Sequence, residues 1–274
     1  MILQASHLIP HNPSLQADTP TIEPLNLTIP EHELVCMIGT NNSGKTRYLR
    51  SLAGVDTLAA GTLKLLNRNI WSLTREEWSI LRLKIAYLGP DIQPISSLNA
   101  LDNVCLPIRY HQIELDQPVE DRARELLDWL SFDGRLLGLP NFMTPFQRRL
   151  ILLARALILQ PRLLFIDEAF PYVDARSWHH LAECYLHLIG QQDMTVVMTT
   201  HNLDFVRSRA SLFLVTAPHG LCVYNSWHQL ISDDSDAART IHIFEEQRRR
   251  YGSHDASHHA YYHNGQPANK PSSH

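Results

Sequence analysis

The run GTNNSGKT at residues 39–46 constrains this chain more than any other feature of its sequence. It matches the phosphate-loop pattern G-x-x-x-x-G-K-[ST] at every fixed position. A short apolar run at residues 34–38 precedes it and predicts a buried strand, and a helical pattern follows it and ends at Gly54. Strand, loop and helix in this order are the context in which the pattern forms a phosphate-binding site.

The chemistry of such a loop comes from its backbone, its lysine and its last hydroxyl. Successive backbone N–H groups form an anion-binding nest, and the helix N-terminus adds a partial positive charge. Lys45 would reach the β- and γ-phosphates of a nucleotide, and the Thr46 hydroxyl would bind Mg²⁺. Asn42 suits a tight loop because Asn adopts left-handed backbone conformations more readily than most residues. The alternative, an ordinary turn before a helix, is disfavoured by the complete match and its flanks.

The nucleotide-binding residues predicted in and next to this loop are Gly39, Thr40, Asn41, Asn42, Ser43, Gly44, Lys45, Thr46 and Arg47.

Composition excludes several classes of protein. The 274 residues are enough to bury a substantial core in one large domain or two small ones. A charged fraction of 19% and a net charge of −4 argue against a nucleic-acid partner and against a polybasic membrane anchor. The apolar runs are too short or too interrupted to span a bilayer, and the N-terminus lacks the features of a signal peptide. The four isolated cysteines suggest buried thiols in a reducing compartment, so we expect a soluble cytoplasmic protein.

The order of predicted elements favours an α/β fold with a mostly parallel sheet that is covered on both faces. In chain order the patterns predict short strands and turns over 1–33, a strand at 62–66, a helical region over 98–140, a buried helix at 146–160, a strand at 163–166, a helix at 175–189, a strand at 195–200 and strands at 211–216 and 221–224. Residues 235–250 have the pattern of a further helix, and the His-rich stretch after Gly252 lacks the large apolar residues needed to order itself.

Two carboxylates follow the predicted strand at residues 163–166. Ligands bind at the carboxyl ends of strands in open α/β sheets, so Asp167 would hold Mg²⁺ and Glu168 would polarise the attacking water. The alternative is a strand end with two solvated acids, which the phosphate loop makes less plausible. His201 ends the predicted strand at 195–200 and, by the same geometry, would lie near the γ-phosphate.

Together these motifs resemble the nucleotide-binding subunit of an ABC transporter. Over residues 1–231 they follow the family order: Walker A at 39–46, a helical insertion, the ARAL helix at 154–157, Walker B ending in Asp167 and Glu168, an aspartate of the D-loop type at Asp174, and a switch histidine at His201. The resemblance implies a P-loop NTPase fold of ABC type. Its parts would be a mostly parallel core, an N-terminal antiparallel β subdomain and a helical subdomain at about 94–150, followed by a C-terminal helix and disordered tail over 232–274.

The resemblance also implies ligands and partners. ATP and Mg²⁺ would bind between two such domains arranged head to tail, where the signature sequence of one domain caps the phosphates held by the other. The partners would be an integral membrane permease and a second ATP-binding subunit, identical or different. The chain would have no transmembrane segment of its own and would lie on the inner face of the cell membrane through its permease.

Several motifs depart from the family pattern. The signature LSGGQ aligns with residues 143–147, MTPFQ, where Thr144 and Gln147 would contact nucleotide. Pro145 removes a backbone N–H and Phe146 adds bulk where backbone should approach phosphate, so we expect a weak cap. Pro90 stands at the position of the Q-loop glutamine, and the aromatic residue that stacks on adenine is missing.

Three functions remain open from sequence. The first is an ATPase subunit that drives a permease, and the second is a nucleotide-binding structural or regulatory subunit with little hydrolysis of its own. A soluble ABC protein acting on ribosomes or DNA is the third, and the single nucleotide domain and the acidic balance disfavour it. The DEAF run that begins at Asp167 and the stretch from Arg148 to Arg155, after the aligned signature, also resemble the corresponding parts of ATPases of MCE-linked lipid-transport systems.

Overall fold

The structure is a computed structural model that describes residues 1–11, 22–169, 175–191 and 193–242. Its strands are β1 (Leu3–Pro10), β2 (Leu25–Ile29), β3 (Leu34–Ile38), β4 (Leu58–Leu65), β5 (Arg68–Asn69), β6 (Ile85–Leu88), β7 (Leu163–Ile166), β8 (Thr195–Thr199), β9 (Leu212–Ala217) and β10 (Gly220–Tyr224). Its helices are α1 (Lys45–Leu52), α2 (Arg75–Arg82), α3 (Ala100–His111), α4 (Val119–Trp129), α5 (Pro145–Leu157), α6 (Ala175–Gln191), α7 (Leu203–Arg209) and α8 (Trp227–Ile231).

The main sheet has six strands in the order β10-β9-β3-β8-β7-β6. All neighbouring strands in it are parallel except β9 and β10, which form an antiparallel pair. A second, four-stranded antiparallel sheet has the order β2-β1-β4-β5. The predicted α/β fold with a mostly parallel sheet and an N-terminal antiparallel part is therefore confirmed.

Two hydrophobic cores cover the two faces of the parallel sheet. Val35 and Met37 of β3 pack in one core with α1 and the antiparallel sheet. Cys36 and Ile38 point to the opposite face and pack in the other core with α3, α5 and α6. A strand that is buried on both faces has no polar positions, which explains the continuous apolar run before the phosphate loop.

The helical region packs on the second of these cores. Asn99 and Thr144 cap α3 and α5, and both side chains accept a hydrogen bond from a first-turn backbone N–H. Helix α5 contacts α3, α4 and β6. The subdomain limits of about 94–150 and the division at residue 231 stay predictions.

The predicted element boundaries differ from the observed ones at several points. Helix α5 ends at Leu157, not at residue 160, because the chain turns through a left-handed Gln160 with φ of 50° before Pro161. Helix α6 continues past Gly190, where nothing lies within 4 Å of an added Cβ and no positive φ breaks the helix. Strand β4 begins at Leu58, earlier than the predicted residue 62. Strand β6 was not predicted, and its half-buried side chains explain the weak pattern.

Beyond α8 the structure describes a helical segment at residues 236–242, in agreement with the first half of the helix predicted there. The rest of that helix and the His-rich tail lie outside the described residues. Within the described ranges, no helix has both the length and the apolar character needed to cross a membrane.

Candidate active site

Strand order brings the predicted site residues to one edge of the parallel sheet. The phosphate loop follows β3, Asp167 and Glu168 follow β7, and His201 comes two residues after β8. Strand β8 lies between β3 and β7, so the carboxyl ends of all three strands meet at this edge. The arrangement is the one expected for binding and cleaving a nucleotide. Asp174 lies outside the described residues.

The phosphate loop has the backbone of an anion-binding nest. Asn42 has φ of 59° and Gly44 has φ of 92°, so the predicted left-handed conformation at Asn42 is present. Gly39 has φ of 151°, and a Cβ on it would lie 1.8 Å from Thr216 Oγ1, so another residue there would strain the backbone and displace the Thr216 side chain. Gly44 is the N-cap of α1 and offers no side chain to its first-turn N–H groups, which leaves them for an anion.

Lys45 connects the phosphate loop to the carboxylates electrostatically. Its Nζ donates to Gly39 O at 3.0 Å and to Thr40 O at 2.7 Å, and the side chain is buried. Burial lowers the pKa of Lys45, while the negative charges of Asp167 and Glu168 oppose that shift. The ammonium therefore lies within the field of both carboxylates, as a phosphate-binding lysine opposite a magnesium-binding acid requires.

Asp167 has one satisfied and one unsatisfied carboxylate oxygen. Oδ1 accepts from Thr199 Oγ1 at 2.6 Å, whereas Oδ2 is buried with no hydrogen-bond partner among the described residues. A buried acceptor without a donor is unusual, and a hard cation is one way to satisfy it. The donor set at this edge, a carboxylate oxygen and the exposed Thr46 hydroxyl, consequently fits Mg²⁺.

Glu168 is exposed, although its neighbours on both sides are buried. Its φ of 56° is uncommon for a residue with a side chain. The backbone N–H donates to Thr199 Oγ1 at 2.7 Å, so one threonine holds both carboxylate residues. With this conformation the Glu168 side chain is exposed to solvent at the carboxyl end of β7.

His201 follows β8 by two residues and is partly exposed to solvent. Partial burial lowers the pKa of His201, and the positive charge of Lys45 lowers it further. The influence of Lys45 is consistent with the prediction that His201 belongs to the phosphate region. A neutral imidazole can both donate and accept a hydrogen bond, which suits a side chain beside a phosphate oxygen and a water.

The aligned signature segment, residues 143–147, lies at the start of α5. Thr144 Oγ1 accepts from Gln147 N at 3.1 Å and Gln147 Oε1 accepts from Thr144 N at 2.9 Å, which forms a capping box. Gln147 Nε2 donates to Asp133 Oδ1 at 2.9 Å, so both polar atoms of this side chain already have partners. Thr144 is exposed and acts here as an acceptor, which leaves its hydroxyl hydrogen to donate.

Three residues in and around the site were not predicted from sequence. Thr199 holds the two carboxylate residues, Thr216 Oγ1 lies 2.6 Å from Ser43 Oγ in the phosphate loop, and Arg149 of α5 donates to backbone carbonyls after β6 and β7. Each acts on a residue at least 18 positions away in sequence. The only sequence signal was a polar residue inside an apolar strand or helix.

Comparison with known proteins also indicates a protein that binds ATP. The family model described as ABC transporter matches residues 22–171, which is more than half of the chain. The lipoprotein-releasing system ATP-binding protein of Hydrogenovibrio crunogenus is 29% identical over 222 residues, which cover 80% of this chain and 95% of that protein. The methionine import ATP-binding protein of Clostridium tetani is 26% identical over 190 residues, and the match spans only 59% of its length.

Solved structures share the fold. The dimeric structure of a post-hydrolysis state of an ATP-binding cassette, bound to ADP and Pi, superposes with a TM-score of 0.73 and 21% identity over 82% of this chain and 98% of its own. A structure described as the ATP-binding subunit of an ABC transporter gives a TM-score of 0.73 at 16% identity, over 90% of this chain and 99% of its own. At these identities the likeness establishes the fold alone.

Proposed function

Because the chain belongs to the ABC transporter family, we propose that it is the ATP-hydrolysing subunit that powers a membrane transporter. The observation that supports ATP hydrolysis is that Lys45 lies within the electrostatic field of Asp167 and Glu168 at one edge of the parallel sheet. The relatives named above differ in what they move and share the description of an ATP-binding protein. From these relatives we carry over to the present chain only the binding of ATP.

In the proposed reaction the phosphate loop holds ATP through its backbone N–H groups. Lys45 exchanges the carbonyls of Gly39 and Thr40 for phosphate oxygens, which removes a buried cation from neutral partners and places it on anionic ones. Thr46 and the unsatisfied Oδ2 of Asp167 would hold Mg²⁺, which neutralises phosphate charge when bound. The flanking residues Thr40, Asn41, Asn42, Ser43 and Arg47 would line the phosphates.

Glu168 would orient the attacking water and accept its proton. The exposed carboxylate is positioned at the open side of the edge, and its backbone is held by Thr199. His201 would hydrogen bond to the γ-phosphate or to the water, and partial burial and the charge of Lys45 favour its neutral form by lowering its pKa. Asp174, the aspartate of the D-loop type, would take part in nucleotide binding.

We further propose a head-to-tail assembly with a second ATP-binding subunit, carried by a membrane permease at the inner face of the cell membrane. Thr144 and the first turn of α5 would then cap phosphates held by the partner. Pro145 and Phe146 weaken this cap, so a different partner with a complete signature would give one well-formed site. In that site the present chain would supply Lys45, Asp167 and Glu168.

A second candidate function is nucleotide binding with little hydrolysis. It is favoured by the proline and phenylalanine in place of two signature glycines, and by Pro90 at the aligned Q-loop position. The likeness to MCE-linked lipid-transport ATPases stays a prediction about the sub-family.

Glu168→Gln tests the two candidates directly. In the assembled transporter we expect ATP binding to be retained and turnover to fall by at least ~10²-fold, the usual contribution of a general base. Glu76→Gln, at an exposed position in the first turn of α2, is the matched control and should leave turnover unchanged. Unchanged turnover in Glu168→Gln would reject hydrolysis by this chain and favour the second candidate.

The partners are tested by purifying the chain from native membranes and identifying every associated chain. A permease with one further ATP-binding subunit would support the mixed assembly. Recovery of this chain as the single ATP-binding subunit would contradict it.

A further inference from the structure

A buried arginine in α5 contacts the backbone on the carboxyl side of two strands. Arg149 is only 8% exposed, and its Nη1 donates to Gly89 O, just after β6, at 2.9 Å. Its Nη2 donates to Asp167 O at 2.7 Å and to Glu168 O at 3.1 Å. Among the described residues no carboxylate side chain bonds to this guanidinium, so its hydrogen bonds go to backbone carbonyls. One planar group thus links the segments after β6 and β7 from a third element.

The backbone of residues 167–169 is fully hydrogen bonded within the protein. Each of the three N–H groups has a partner: Asp167 N donates to Leu88 O at 2.8 Å, Glu168 N to Thr199 Oγ1 at 2.7 Å, and Ala169 N to Thr199 O at 2.9 Å. On the carbonyl side, Arg149 binds the first two residues and Tyr185 donates to Ala169 O at 3.0 Å. Every backbone polar group of these three residues therefore has a partner inside the protein.

Glu168 requires this support more than its neighbours do. Its left-handed φ of 56° is sparsely populated for non-glycine residues and persists only where the surroundings determine it. Thr199 holds its N–H and Arg149 holds its carbonyl, so the peptide groups on both sides of the Glu168 Cα are clamped. Loss of either clamp would let the backbone return to a commoner conformation and turn the carboxylate away from the edge.

We infer that Arg149 is a positioning residue for hydrolysis, which fixes the backbone of Asp167 and Glu168 and ties it to α5. The inference rests on the proposed catalytic role of Glu168. Arg149 lies one helical turn after Pro145, so a shift at the start of α5 moves the guanidinium and with it the carbonyl of Glu168. The N-terminal end of α5, which would cap a partner's nucleotide, is thereby connected to Glu168 of the same chain.

The test compares two arginines of α5, of which Arg149 is buried and Arg155 is half-buried. Arg149→Lys keeps the positive charge and the aliphatic stem, but a single ammonium cannot reproduce the planar fork across carbonyls on two segments. Arg155→Lys is the matched control, because Arg155 is also a partly buried arginine of α5 and its hydrogen bond goes to Asn103 Oδ1, at 3.5 Å. Both variants are assayed in the assembled transporter for kcat, ATP affinity and thermal unfolding.

We expect Arg149→Lys to lower kcat by about 10- to 100-fold, the scale of a misplaced catalytic group, with ATP affinity changed less than about twofold. Arg155→Lys should keep both values. Equal kcat in the two variants, or a loss of kcat in Arg149→Lys that is matched by an equal loss of ATP affinity, would overturn the inference.

Chemical rescue separates positioning from stability. Millimolar ethylguanidinium should restore kcat in Arg149→Ala severalfold, because it replaces the missing fork, and should have no effect on Arg155→Ala. Absence of rescue in a folded Arg149→Ala protein would count against the inference. If Arg149→Ala does not fold, the lysine pair decides the question.

Glu168→Gln, measured in the same series, distinguishes failure of the proposed function from failure of the positioning role of Arg149. If Glu168→Gln abolishes turnover while Arg149→Lys behaves like the control, the proposed function stands and only the positioning role fails. If Glu168→Gln leaves turnover intact, the proposed function itself fails.

Discussion

The carboxyl edge of the parallel sheet and the start of α5 are two halves of a nucleotide site, and they are built differently. At the sheet edge, the Lys45 ammonium and the backbone of Asp167 and Glu168 have partners inside the chain. At the start of α5, the capping box satisfies the helix, but Thr144 and Pro145 are exposed and Phe142 is 88% exposed. The first half is preorganised by its own chain, whereas the second presents a surface that only a partner can complete.

The largest effect should come from Thr199, which supports the sheet edge. Thr199→Val keeps the volume but leaves Asp167 Oδ1 and Glu168 N without partners, at a cost of about 1–3 kcal/mol each. We therefore expect about 2–6 kcal/mol lower free energy of unfolding by denaturant titration, together with a fall in turnover.

Thr195→Val, at the opposite end of β8, is the control for that loss. Thr195 is equally buried, and its Oγ1 accepts from His32 N at 2.8 Å, away from the nucleotide edge. It should destabilise the chain by about 1 kcal/mol and leave turnover unchanged. If the two substitutions gave equal losses of turnover, the sheet edge would not be the specially preorganised half.

The next effect concerns the start of α5. Replacing Pro145 and Phe146 by glycine restores a backbone N–H and opens the approach to phosphate, which is worth about 1.5–3 kcal/mol for a hydrogen bond to a charged group. We expect ATPase activity of the assembled transporter to rise about tenfold or more.

The double alanine variant at the same two positions is the matched control. It restores the N–H and removes the aromatic ring but keeps a Cβ at each position, so it should recover less activity than the glycine pair. If neither the double glycine nor the double alanine variant raised activity, the altered signature would not limit turnover. The sheet edge and the start of α5 would then differ in structure without a difference in their effect on turnover.

A smaller effect is expected for Thr144→Ala. The change removes the N-cap of α5 and should destabilise the chain by about 1 kcal/mol in denaturant titration. If the hydroxyl also donates to a partner's nucleotide, turnover falls as well, whereas Thr144→Ser should restore both values. A loss of stability with full turnover would limit Thr144 to a structural cap.

The smallest effect is a pH dependence at His201. Its pKa in the folded chain lies below the ordinary value of 6.5, because burial and the charge of Lys45 disfavour the imidazolium. The unfolded chain therefore binds more protons as pH falls through 6.5, and the folded state loses stability in that range. Relative to His201→Gln, the wild type should be destabilised between pH 7.5 and pH ~5.5 in denaturant titrations. Parallel pH profiles would show that neither burial nor the charge of Lys45 lowers the pKa of His201.

Local patterns were enough to predict the loops that carry the chemistry. The left-handed Asn42 and the strand ending at Ile166 were both predicted, because each depends on residues within a few positions. The end of α5 at Leu157 was not, because a left-handed turn at Gln160 depends on how the chain enters β7. Strand β6 was missed for a similar reason, since its pairing with β7 rather than its own pattern makes it a strand.

What the sequence by itself determined is the set of groups that can bind and cleave a nucleotide. Lys45 and Thr46 begin α1 directly after the phosphate loop, and Asp167 and Glu168 directly follow β7, so their local structure follows from short apolar strands and turn residues. Only the tertiary structure decided which groups hold them in place. Thr199 reaches the Asp167 side chain and the Glu168 N–H because β8 pairs with β7, and Arg149 reaches the backbone carbonyls of both residues because α5 packs against β6. Strand order and helix packing depend on burial of both sheet faces at once, a property of the whole core that no local pattern contains.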